Sequence, residues 1–109
     1  MKVSTRQAAD TTIIDVVGDI DLRCSSDLRK FFLELLRDNP PARVVVNLKD
    51  VKFVDSSGLS ALVEGLKAAM KIKKRFILCG LQPAVNEVLK LTQLITVFEV
   101  HADEEQALR

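Results

Sequence analysis

A chain of 109 residues, 48% hydrophobic and 28% charged, has the size and composition of one globular domain with its own core, which excludes a disordered or fibrous polymer. Lys plus Arg total 16 against 15 for Asp plus Glu, and a net charge of +1 argues against a general electrostatic footprint for nucleic acid or a membrane surface. No apolar run approaches the ~20 residues of a membrane span, and the opening MKVSTRQAAD lacks a signal-peptide core, so a single cytoplasmic domain over residues 1–109 is expected.

In chain order, KVSTRQA (Lys2 to Ala8) reads as a strand. The polar turn ADT joins it to TIIDVV (Thr12 to Val17), a β-branched run that stops at Gly18, and the two are expected to pair antiparallel. Ser26-Asp27 is a helix-start signal. Leu28, Phe31, Phe32, Leu35 and Leu36 behind it fall on one helical face, which assigns both phenylalanines to the core. Pro40-Pro41 stops that helix. RVVVNL (Arg43 to Leu48) is apolar almost throughout, as a strand covered on both faces requires. Leu59, Leu62, Val63, Leu66 and Met70 repeat the helical spacing, with Met70 taken as core. The basic run Lys67 to Arg75 closes this helix, where the helix dipole favours cations. RFILCG (Arg75 to Gly80) is another buried strand, and Pro83 opens a helix carrying Val85, Val88 and Leu89. TVFEV (Thr96 to Val100) is the last strand, and ADEEQALR a short terminal helix with acids in its first turn. The order β-β-α-β-α-β-α-β-α predicts an α/β fold, a mixed and mostly parallel sheet of about five strands with right-handed crossovers.

Chemistry concentrates in VKFVDSSGLSALVEGL, Val51 to Leu66, where a strand runs through Asp55-Ser56-Ser57-Gly58 into a helix. The loop at the carboxyl end of a strand is the usual functional edge of such a crossover. One helix cap needs one Ser, Thr, Asp or Asn, and this loop supplies three in a row. Plain capping, a phosphate site and a phosphoacceptor all fit that surplus. The four glycines form neither a P-loop nor a dinucleotide fingerprint, and VDSSG lacks the first glycine of a nucleophile elbow. A phosphate added here would carry about −1.5 to −2 charges beside a helix N-terminus, which favours anions. Gly18-Asp19-Ile20-Asp21 brings two more acids on another strand-end loop; if the loops meet, those acids are expected to repel it. Cys24 and Cys79 read as reduced thiols, Cys79 as core. His101, the single histidine, has no partners at metal-ligand or triad spacing, and Asp103 to Glu105 reads as a helix start.

VVGDIDLRCSSDLR, RVVVNLKDVKFVDSSGLSAL and RFILCGLQPAVNEVLKLTQLITVFEV resemble, in order and spacing, the STAS domain of bacterial anti-sigma factor antagonists over nearly the whole chain. The most specific element is the strand, the Asp-Ser-Ser-Gly-Leu loop and the helix after it. GDID matches a Gly-Glu-Leu-Asp signature with Asp19 in place of Glu. The resemblance implies that the unphosphorylated protein binds an anti-sigma factor of the histidine-kinase-like ATPase class and frees the sigma factor. It implies that the same partner, as a serine kinase, phosphorylates Ser56 (Ser57 being the alternative acceptor and otherwise a cap), and that a PP2C-type phosphatase reverses the mark. Asp19, Asp21, Asp55, Ser57 and Gly58 would then flank the acceptor at the docking surface. The polar face of Glu64, Lys67 and Lys71 could join it, solvated surface being the default. On this reading the protein is a substrate and ligand, not an enzyme. It binds no cofactor or metal, contacts no nucleic acid directly, and is a monomer or weak dimer. The alternative use of the same fold is a constitutive STAS subunit of a transport or sensory complex, never phosphorylated.

Overall fold

In the structure, a computed structural model that describes residues 1–109, β1 (Lys2–Ala8) pairs antiparallel with β2 (Thr11–Val17) through a tight turn. From β2 onward every pairing is parallel, through β3 (Arg43–Asp50), β4 (Arg75–Cys79) and β5 (Glu99–His101). Spatial order follows chain order, β1-β2-β3-β4-β5. The crossover helices α1 (Ser25–Arg37), α2 (Ser56–Lys71) and α3 (Pro83–Leu91) therefore step one way along the sheet. Right-handed connections that advance in one direction lay their helices on one face.

That face holds the main core. Ile14, Val16, Val44, Val46, Phe76 and Leu78 from the strands meet Leu28 and Phe32 of α1, Leu62 and Leu66 of α2, and Val85 and Leu89 of α3. Phe32 and Phe76 pack edge to face with ring centroids 5.2 Å apart. Gly65 makes room for them, since a β-carbon there would sit 2.7 Å from the Phe32 ring and 2.9 Å from that of Phe76. The opposite face carries a smaller cluster, Ile13, Val45, Ile77 and Cys79, capped by Ala107 of α4 (Glu104–Ala107). Arg43 ties the chain end over it, donating to the carbonyls of Ala107, Leu108 and Arg109 at 3.2–3.4 Å, where a helix C-terminus favours a cation.

The α/β class, the antiparallel start and the element order agree with the sequence reading; several local expectations do not. Met70 is 64% exposed rather than core, because Ala69 takes the inward position in the last turn of α2. Phe31 is only partly buried beside the fully buried Phe32. Helix α1 begins at Ser25, before the Ser26-Asp27 signal, and has no side-chain cap. TVFEV is not a strand throughout. Leu94–Thr96 forms a 3-10 turn, Val97 and Phe98 donate to the Leu94 carbonyl, and β5 starts only at Glu99. Here packing of Phe98 into the core overrides the β-propensity of the run.

Candidate functional site

Beyond Asp50 the chain turns, with Val51 donating to Leu48, and then runs extended through Phe53 and Val54. In that extension it pairs with the loop that leaves β2. Ile20 and Val54 form a parallel bridge, Ile20 donates to the Phe53 carbonyl at 3.0 Å, and Asp55 donates to the Ile20 carbonyl at 3.2 Å. Ile20 and Val54 are buried together, which anchors both loops to the core. The Gly18–Asp21 and Asp55–Gly58 stretches, far apart in the chain, thus become one two-stranded ledge at the carboxyl edge of the sheet.

Asp55 joins them a second time. It is the N-cap of α2, and its Oδ1 accepts the Gly58 backbone N–H at 2.9 Å. Its Oδ2 accepts the Leu22 backbone N–H at 3.0 Å. The capping role expected of Ser57 therefore falls to Asp55, and both oxygens of Asp55 are engaged inside the protein. Gly58 is buried, and only glycine fits there, since a β-carbon would collide with the Ile20 carbonyl oxygen and the Val54 side chain. It lies beneath the surface formed by its neighbours.

Ser56, the first residue of α2, is exposed, and Ser57 is half-buried. The backbone N–H groups of both residues have no protein acceptor, so the helix presents two free donors next to the Ser56 hydroxyl. Asp19 is exposed. The Asp21 carboxylate accepts the Arg23 backbone N–H at 3.0 Å and pairs with its guanidinium at 2.7 Å, and the guanidinium holds its pKa below the usual carboxylate range. Of the three acids expected to repel a phosphate, Asp21 is paired and Asp55 is doubly hydrogen-bonded. Arg23 and the Met1 ammonium, which lies against Gly18, place two cations among these acids, so repulsion is weaker than the sequence suggests.

The structure brings Asp19, Asp21, Asp55, Ser56, Ser57 and Gly58 into this one ledge. Glu64, on the polar face of α2, instead pairs with Arg29 of α1 at 2.8 Å. The sequence reading missed Leu22, which is 74% exposed at the tip of the first loop. The available signal was its phase, since it precedes the helical stripe that begins at Leu28 and belongs to no apolar face. A larger cleft, about 770 Å³, opens on the α4 side of the sheet between Asp15, Asn47 and Gly80. There Arg6 is paired with both Asp15 and Glu104, and the groups form no nucleophile–base pair. No three His, Cys, Asp or Glu side chains are grouped as metal ligands.

The STAS domain model matches residues 2–107. The chain belongs to the STAS domain family. Among proteins similar to this STAS domain is an anti-sigma F factor antagonist of Paenibacillus polymyxa, 25% identical over 88% of this chain and 82% of that one. A Thermotoga maritima crystal structure, described as a candidate anti-sigma factor antagonist, superposes with a TM-score of 0.91 at 20% identity, covering 97% of this chain and 91% of that one. The Bacillus cell-fate determinant SpoIIAA, solved in its phosphorylated form, gives a TM-score of 0.75 at 19% identity over 98% and 96% of the two chains.

Proposed function

We propose that this STAS domain is an anti-sigma factor antagonist working as a phosphoswitch at Ser56. Unphosphorylated, it binds an anti-sigma factor of the histidine-kinase-like ATPase class and displaces the sigma factor. The same partner then acts as serine kinase. The Ser56 Oγ attacks the γ-phosphorus of ATP held by the partner, the bond to the ADP oxygen breaks, and the hydroxyl proton passes to a base of the kinase. A PP2C-type phosphatase restores the hydroxyl by hydrolysis, releasing inorganic phosphate. The names of the similar proteins support the antagonist reading. Such a regulator acts in the cytoplasm, and no helix of this chain is long and apolar enough to cross a membrane.

The observation that carries the switch is the setting of Ser56, exposed at the N-terminus of α2 beside two unpaired backbone donors. Those donors stabilise a phosphate on the free protein. Under a docked partner the same dianion must be desolvated without a matched cation, which costs several kcal/mol and lowers affinity by orders of magnitude. The fold need not change. The test is the affinity of unphosphorylated and Ser56-phosphorylated protein for the purified ATPase-type partner, measured by calorimetry. Loss of about a hundredfold or more on phosphorylation supports the switch. Equal affinity of the two forms contradicts it and favours a constitutive binding module.

A further inference from the structure

We infer that Asp55 is a positioning residue that holds Leu22 outward as an apolar anchor for the partner that handles Ser56; the identity of that partner rests on the function proposed above. A single exposed leucine is ordinary on a protein surface. Leu22 is set apart by the contacts that immobilise it. Its own N–H is bound by a carboxylate from 33 residues along the chain, and that carboxylate is also the cap of α2. Ile20, two residues before, is fixed by two backbone hydrogen bonds. Immediately beyond, Arg23 N–H donates to the Asp21 carboxylate, and Cys24 and Ser25 both donate to the Asp21 carbonyl, at 3.1 and 2.9 Å. A loop tied on both sides of an exposed apolar tip spends little further entropy when that tip enters a pocket.

Position supplies the link to the switch. Asp55, the residue before Ser56, touches the Leu22 backbone, so a surface that buries Leu22 also covers the Ser56 hydroxyl. Charge supplies the chemistry of the occupant. The Asp19, Asp21 and Asp55 carboxylates outnumber the Arg23 guanidinium and the Met1 ammonium around the anchor, which leaves its rim net acidic. The fitting partner presents an apolar pocket edged by cationic groups, and phosphate on Ser56 would enter at the edge of that same pocket.

Asp55→Asn separates positioning from capping. Asparagine caps a helix as well as aspartate, so its Oδ1 keeps the Gly58 N–H. Its Nδ2 would then face the Leu22 N–H, donor against donor, and the first loop is released. The experiment compares wild type, Asp55→Asn, Leu22→Ala and Leu22→Met. Amide hydrogen exchange is read at Leu22 and Gly58, and affinity is measured for a purified serine kinase of the histidine-kinase-like ATPase class from the same genome. Expected are faster exchange at Leu22 but not Gly58 in Asp55→Asn, and a loss of about tenfold or more in affinity for Asp55→Asn and Leu22→Ala, with Leu22→Met restoring most of it. Unchanged exchange at Leu22 in Asp55→Asn overturns the positioning role. Unchanged affinity of Leu22→Ala overturns the anchor while leaving the proposed function standing. Absence of binding by the wild type overturns both. Binding that depends on Leu22 but is equally tight for the Ser56-phosphorylated wild type, run beside these variants, keeps the anchor and removes the phosphoswitch.

Discussion

Gly58 rests directly on the carbonyl oxygen of Ile20, with no space for a β-carbon between them. The first turn of α2 is thereby seated on the backbone of the loop that leaves β2, and the two strand-end loops keep one fixed spacing. Gly58→Ala must push α2 away from Ile20 or distort the bridge between Ile20 and Val54. A destabilisation of about 1–3 kcal/mol is expected, at the upper end because the obstacle is backbone. Chemical denaturation measures it, and a variant as stable as wild type would show that the ledge is slack.

The acid dependence of stability should report on Asp15. Its carboxylate is hydrogen-bonded by the Arg6 guanidinium at 2.6 Å and by the Asn47 amide at 3.0 Å, and Arg6, the larger influence, holds its pKa below the ordinary 3.8. A carboxyl whose pKa is lowered by folding stabilises the native state above its ordinary value and loses that contribution as pH falls through the folded-state value. The stability gap between wild type and Asp15→Asn should be constant well above pH 3.8 and close in acid below it. Urea denaturation across that range checks this, and a pH-independent gap contradicts it.

The two thiols should differ sharply in reactivity. Cys79 is fully buried between Ile77 and Ala107, and burial pushes its pKa up to about 11. The thiolate is the reactive form, so Cys79 is protected twice, by burial and by protonation. Cys24, partly exposed in the first loop, is the accessible thiol. A disulfide reagent should titrate one thiol per native chain and both after unfolding. Rapid titration of both in the native protein would contradict the packing of the α4 face.

Periodicity made the fold legible because most elements bury a single face. Leu28, Phe32 and Leu36 of α1 and the Val44–Leu48 run of β3 announced their elements through spacing and composition, and both are buried where spacing put them. The errors came where local preference and packing compete. Met70 continued a regular spacing, but α2 had already turned Ala69 inward; Thr96 and Val97 are β-branched, yet Phe98 reaches the core from a 3-10 turn. At the site, residue types were legible and their connections were not. Three capping residues in a row gave no means of telling which one caps. The Asp55–Leu22 hydrogen bond joins stretches whose meeting depends on the whole sheet.

Intact-mass analysis after the purified protein is incubated with its cognate ATPase-type serine kinase and Mg-ATP decides whether Ser56 is a phosphoacceptor. Ser56→Ala and Ser57→Ala variants are run beside the wild type. A gain of one phosphate is expected in the wild type and in Ser57→Ala, and none in Ser56→Ala. Labelling that survives Ser56→Ala but not Ser57→Ala would move the acceptor to the half-buried hydroxyl. Absence of labelling in the wild type, with a kinase shown to be active, would contradict the phosphoswitch.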